Sequence, residues 1–261
     1  MTPTIRHCDL AAPGLDWQRI PHLGMILLSS DRATEMELQH MLPADVAAVH
    51  YSRVAMGASC DVASLRALET GLSRAASELL PDTPLDAIGF SCTSGAIAIG
   101  TARVAECINE SHPGVPVTAP LTAATAALAE VGVSRVAVLT PYVDEVNTLI
   151  HAALTDAGLT IPDFASFHLN TDAEMSAVSP ASLRAAALTL NTPATEALFI
   201  SCTAIHTSGV IATLEAATGK PVITSHQAML WHALALAGID TPLPGLGRLL
   251  TRPQRSAGVS R

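Results

Sequence analysis

The sequence predicts an α/β fold of two lobes related by a pseudo-twofold axis, each built on a short parallel sheet, with the site where the lobes meet. Three observations carry this expectation. A signature occurs twice, as Gly89-Phe90-Ser91-Cys92-Thr93 and as Phe199-Ile200-Ser201-Cys202-Thr203, each after a short apolar run. Each copy is followed by a Pro-Val strand closing on threonine, Pro116-Val117-Thr118 and Pro221-Val222-Ile223-Thr224. A glycine then follows each threonine after 14 residues, Gly132 in one half and Gly238 in the other. Finally, apolar runs alternate with segments of helical spacing, the pattern of parallel sheets wound by right-handed crossovers.

Residues 1–21 have a mixed pattern and read as an extended lead-in. His22 to Ser29 reads as a strand, Asp31 to Met41 as a helix starting after a Ser30 or Asp31 cap, and Val46 to Val54 as a second strand. Asp61 to Leu80 has one apolar stripe, Leu65, Leu68, Leu72 and Leu79, and reads as a single helix. The first signature strand, Leu85 to Phe90, follows. In the second half Arg135 to Thr140 is a strand, Asp144 to Ala157 a helix and Ala165 to Leu169 a strand. Pro180 to Leu190 is a helix, Ala197 to Ile200 the second signature strand, and Ser208 to Ala217 a helix. The matched spacing divides the chain into a first lobe of 1–118 plus 226–250, a second lobe of 119–225 and a tail of 251–261. The helix after Gln227 then swaps back onto the first lobe, mirroring the helix after Leu121.

Composition narrows the function classes. With 49% hydrophobic and 14% charged residues among 261, the chain has apolar material for buried parallel sheets. A formal charge of −9 argues against nucleic acid or an anionic membrane as partner, since both reward clustered Lys and Arg. No apolar run reaches the roughly 18 residues of a membrane span, and the first residues lack a signal-peptide core. The five cysteines, Cys8, Cys60, Cys92, Cys107 and Cys202, lack CxxC spacing and fit a reduced cytoplasm better than a disulfide scaffold. The histidines form no recognisable ligand set, so no metal is expected. His206 could face the crevice.

The duplication singles out Cys92 and Cys202. In parallel sheets the ligand crevice lies at the carboxyl ends of the strands, where both signatures sit. A free thiol has a pKa of about 8.5 and ionises more readily at a helix N-terminus, where this reading puts both sulfurs. Two thiols on opposite faces of one carbon can serve as base and acid, while Thr93, Ser94 and Thr203 can cradle an anion with their backbone N–H groups. Alternatively, both cysteines are small buried hydrophobes at strand ends. Cys8, Cys60 and Cys107 lack the repeated context and read as structural.

These motifs resemble the aspartate/glutamate racemase superfamily, in the branch holding maleate cis–trans isomerases, arylmalonate decarboxylases and ectoine-utilisation proteins. The resemblance runs from about Gly24 to Leu250. It rests on the two Ser-Cys-Thr motifs and on Thr140-Pro141-Tyr142-Val143-Asp144-Glu145-Val146-Asn147. It implies two flavodoxin-like lobes, no cofactor and a cysteine pair at the interface. It also implies that Tyr142 contacts the substrate carboxylate and that Thr93, Ser94 and Thr203 hold an oxyanion. Arylmalonate decarboxylases carry glycine in place of the first thiol, whereas this chain has Cys92. Maleate isomerases carry Ser-Ser-Asn after the first strand, whereas this chain has Ser29-Ser30-Asp31. An aspartate there repels a second carboxylate and can hold an ammonium group, or it simply caps a helix. Tyr142 has its own plain alternative, a plug at the lobe junction.

The expected function is therefore a cofactor-independent racemase or epimerase of a small amino or hydroxy acid, in the setting of ectoine breakdown. Maleate isomerisation, arylmalonate-type decarboxylation and non-catalytic binding of a small anion are the alternatives. The expected partners are the small acid and further copies of the chain.

Overall fold

The computed structural model describes residues 5–6 and 20–251. Most of the lead-in, Cys8 and most of the tail lie outside these residues. The first half contains β1 (His22–Leu28), α1 (Thr34–Met41), β2 (Ala48–Val54), α2 (Val62–Ala67), α3 (Glu69–Ser77), β3 (Ala87–Phe90), α4 (Thr93–Ile99), α5 (Thr101–Asn109) and β4 (Val117–Thr118). Then come α6 (Pro120–Glu130), β5 (Val136–Tyr142), α7 (Asp144–Asp156), β6 (Phe164–Leu169), α8 (Asp172–Ser176), α9 (Pro180–Thr189) and β7 (Ala197–Ile200). The chain closes with α10 (Ser208–Thr218), β8 (Val222–Thr224), α11 (Ser225–Leu236) and α12 (Gly247–Thr251).

The strands form two separate sheets of four, ordered β2-β1-β3-β4 and β6-β5-β7-β8, and every pairing is parallel. Equal order in two sheets is the expected duplication. The inner strands β1, β3, β5 and β7 are buried at every position, because helices cover both faces of each sheet. Edge strands β2 and β6 are mostly half-buried. Gly132 and Gly238, the glycines that end the matched spacing, both sit at positive φ, +77° and +71°. Each stops its helix in a conformation that favours glycine.

Helices α6 and α11 pack along each other between the sheets. Helix α11 follows β8 but packs on β3 and β4, and His232 Nδ1 lies 2.8 Å from the Thr118 hydroxyl. Helix α6 follows β4 and packs on β8. A Cβ added at Gly89 would meet Met25 Sδ at 2.7 Å and Met229 Sδ at 3.5 Å, so β3 needs glycine for this close approach.

Two element expectations need correction. The stripe from Asp61 to Leu80 is two helices, broken at Leu68, with Asp61 capping the first by accepting from Ser64 N at 2.8 Å. The residues after Cys92 form two helices, α4 and α5, that meet at Gly100, which has φ +97°. Helix α1 begins at Thr34 rather than Asp31, because the Asp31 carboxylate accepts from Ala33 N and Thr34 N and so organises the turn before it. Helices α8 and α12 had no counterpart in the sequence reading.

Candidate active site

The carboxyl ends of six strands converge on one enclosed cavity between the lobes. From the first lobe come Asp31 after β1, Cys60 after β2, and Cys92, Thr93 and Ser94 after β3. From the second come Tyr142 ending β5, Asp172 after β6, and Cys202 and Thr203 after β7. Leu28, Leu65 and Ala204 complete the wall. Its volume is about 10 Å³, room for about one water, so its walls must part to admit an organic acid.

The two signature cysteines are held differently. Cys92 is the N-cap of α4, and its sulfur accepts from Gly95 N at 3.2 Å. A Cβ on Gly95 would lie 2.8 Å from that sulfur, so the glycine makes room for it. Cys202 does not stand at a helix N-terminus, contrary to expectation. Five residues separate it from α10, and it adopts φ +151°, a region costly for a side-chain-bearing residue. Its N–H donates to Ser225 Oγ at 3.0 Å and its sulfur accepts from Ala204 N at 3.1 Å.

Electrostatics also depart from expectation. Burial, then the Asp172 charge, pushes the Cys92 thiol up to about 12, although the Gly95 N–H and the Ser94 hydroxyl pull the other way. Burial raises Cys202 as well, against hydrogen bonds from Tyr142 and Ala204 that favour its thiolate. Burial, then the Cys202 charge, raises the Tyr142 hydroxyl, which bonds to Cys202 and Thr93. In the closed cavity both sulfurs are therefore thiols, because desolvation outweighs the short helix N-terminus at Cys92 and the hydrogen bonds from Tyr142 and Ala204 at Cys202. Their hydrogen-bond donors nevertheless stand where a thiolate would need them.

The Thr140–Asn147 motif positions Tyr142. Asn147 Nδ2 and Ser166 Oγ both donate to the Tyr142 carbonyl, at 2.8 and 2.6 Å, and the Thr140 hydroxyl donates to Asn147 Oδ1 at 2.5 Å. Thr93 bonds to Ser225 through paired hydroxyls at 3.1 Å. Thr203 Oγ1 donates across the lobes to the Ser91 carbonyl at 3.0 Å. Asp31 lines the cavity and is not the N-cap of α1; its carboxylate accepts from Ala33 N, Thr34 N and Thr34 Oγ1 at 2.5–2.9 Å, in the turn before that helix. Ser30 does not line the cavity; its hydroxyl donates to Asp172.

Sequence reasoning missed Cys60 and Asp172. Cys60 was set aside as structural, yet it faces the cavity with its sulfur 3.5 Å from Asp172 Oδ1. Both follow edge strands, β2 and β6, and that position at a strand's carboxyl end was the available signal. Cys107 is buried within α5, away from the cavity. His206 points instead at Glu37, 3.7 Å away. Among the described residues no group of three or more His, Cys, Asp or Glu side chains is arranged to hold a metal ion.

Fold and site together define a duplicated α/β protein whose two lobes each bring one of the paired signature cysteines to a shared cavity. The sequence profile of the arylmalonate decarboxylase family matches residues 73–250, and the chain belongs to that family. This agrees with the resemblance to the racemase superfamily and its maleate isomerase branch. The chain is 25% identical over 243 residues to the maleate isomerase of Pseudomonas putida, covering 88% of this chain and 96% of the relative. It is 32% identical over 139 residues to the arylmalonate decarboxylase of Bordetella bronchiseptica, covering 52% and 58% respectively. The crystal structure of maleate isomerase Iso from Pseudomonas putida S16 superposes with TM-score 0.82 at 23% identity, over 89% of this chain and 98% of that one.

Proposed function

We propose that the protein is a cofactor-independent isomerase that racemises or epimerises a small amino or hydroxy acid, with Cys92 and Cys202 as its acid–base pair. The supporting observation is the convergence of the two duplicated cysteines, one per lobe, on a single cavity beside the Tyr142 hydroxyl. One sulfur, entering as thiolate, takes the α-proton. The C–H bond breaks, an S–H bond forms, and the electron pair moves into the carboxylate as an enediolate. The other thiol gives its proton to the opposite face, which inverts the carbon. Tyr142, with the N–H groups around Thr93, Ser94 and Thr203, holds the charge that develops on the carboxylate oxygens. Asp31, where maleate isomerases carry asparagine, favours an amino-acid substrate such as those of ectoine breakdown.

A second reading is cis–trans isomerisation of a small unsaturated dicarboxylate, favoured by the relatives that span nearly the whole chain, which are maleate isomerases. One thiolate then adds to the double bond, the new single bond rotates, and elimination restores thiolate and alkene. A maleate cis–trans isomerase from Nocardia farcinica has been crystallised with a covalently bound succinylcysteine intermediate.

The test is incubation in deuterated water with amino acids, hydroxy acids, maleate and an arylmalonate, followed by proton NMR. Deuterium at the α-carbon, lost in both Cys92→Ala and Cys202→Ala, is the expected result. Fumarate formed from maleate establishes the second reading instead. Decarboxylation that survives Cys92→Ala points to a lyase, and affinity retained in both variants without turnover points to a binding protein.

A further inference from the structure

Asp172 reaches the cavity from the second lobe, at the first turn of α8. Ser30 of the first lobe donates to its Oδ2, and the Cys60 sulfur lies 3.5 Å from its Oδ1. Both partners are neutral. Asp31 faces the same cavity from the opposite lobe. The two carboxylates are only 8% and 9% exposed, and among the described residues no Lys, Arg or His lines the cavity. Buried carboxylates ordinarily face a cation or become protonated, because desolvation of an unpaired charge is costly. Here the wall offers each of them hydroxyl, thiol or amide donors but no opposite charge.

We propose that Asp172 and Asp31, one from each lobe, form a cation-recognising end of the cavity, so that the substrate is a small acid carrying an ammonium or amidinium group. The proposal rests on the reading of this cavity as the substrate site and names the class of substrate it takes. Ser30 and Cys60 hold the Asp172 carboxylate in place, and Ala33 and Thr34 hold that of Asp31. A dicarboxylate would meet two like charges. A bound cation has a further consequence. It cancels part of the carboxylate field that, after burial, keeps Cys92 and Cys202 protonated. Thiolate formation is thereby coupled to occupancy by the right ligand.

The test uses four acids of one carbon skeleton: 2,4-diaminobutyrate, 2-aminobutyrate, 2-hydroxybutyrate and maleate. Binding to the full chain is measured by calorimetry and α-proton exchange by NMR. The wild-type protein should bind the two ammonium-bearing acids at least tenfold more tightly than 2-hydroxybutyrate, and maleate most weakly. Asp172→Asn should reduce that preference at least tenfold, improve maleate binding and speed alkylation of Cys92 at constant pH. Loss of affinity for all four acids alike would mean a structural role and overturn the proposal. So would a wild-type preference for 2-hydroxybutyrate or maleate, a ranking that can be read even if the variant does not fold. Exchange of 2-hydroxybutyrate alone would spare the isomerase reading and sink the cation end. Ammonium-selective binding without exchange of any acid would do the reverse, and binding of none of the four overturns both.

Discussion

Cys92 and Cys202 are equivalent in sequence but not in backbone. Ser91 N and Ser201 N bond to the same place on the neighbouring strand, Ile26 O and Leu139 O, at 2.8 and 2.9 Å. One residue later the halves diverge, into a helix cap at Cys92 and an irregular loop at Cys202. Asp31 shows how one side chain can serve two purposes. Replacing it with asparagine keeps one oxygen for the Ala33 and Thr34 amides but turns the other oxygen, which faces the Thr34 hydroxyl, into a donor. Asp31→Asn should therefore cost about 1 kcal/mol of stability. It should also weaken an ammonium-bearing ligand by about 1–3 kcal/mol while improving maleate binding. Thermal melts and calorimetry separate the two effects. A shifted melt with unchanged ligand preference would reduce Asp31 to a cap.

Between elements, Glu37 ties α1 to the start of α10. Its carboxylate accepts from the N–H and hydroxyl of both Thr207 and Ser208, at 2.8–3.1 Å. Burial opposes its charge, but the His226 charge and these four donors hold its carboxyl below the usual value. Burial keeps His226 itself largely neutral, so the donors are the dependable cause near neutral pH. Glu37 Oε2 lies 3.8 Å from His226 Nδ1, and His226 Nε2 lies 3.1 Å from Thr34 Oγ1, which bonds onward to Asp31, so Glu37 packs behind the cavity wall. A carboxyl with a depressed folded pKa contributes stability above its unfolded value of 4.5, and that contribution is lost as pH falls through the folded value. Glu37→Gln should then cost about 1–3 kcal/mol at pH 7, the scale for buried donors that lose a charged acceptor, and flatten the acid limb of the stability curve. Chemical denaturation from pH 3 to pH 7 measures it. A variant whose curve runs parallel to the wild type would show that Glu37 carries no linked proton.

At the scale of the whole molecule, the lobes close on groups that resist ionisation. Cys60, Cys92, Cys202 and Tyr142 all have raised folded pKa values, with burial as the first cause. For such groups the unfolded chain loses its protons first, so stability is retained below the unfolded thiol value of 9.0 and declines above it. The decline should be about 1.4 kcal/mol per pH unit for each thiol between pH 9 and the folded value. Melts taken from pH 8 to pH 11 should steepen accordingly, and Cys92→Ser with Cys202→Ser should blunt the slope. An alkaline limb indifferent to both changes would mean the thiols are solvated in solution.

Much of this architecture was legible because it is written locally and twice. Strand runs such as Ala197–Ile200, helix stops at Gly132 and Gly238 and the paired Ser-Cys-Thr motifs are set by hydrophobic period and by glycine's access to positive φ. The alternation of strand and helix then left parallel sheets as the natural outcome, with Cys92, Cys202 and Tyr142 at their carboxyl ends. What stayed hidden depends on neighbours far apart in sequence. Cys60 and Asp172 are 112 residues apart and meet only because β2 and β6 both end at the lobe junction. The thiol ionisation also reversed expectation, because desolvation is a property of the closed cavity rather than of a motif. A sequence determines which groups can titrate. The packed structure decides how much water and how many like charges they keep.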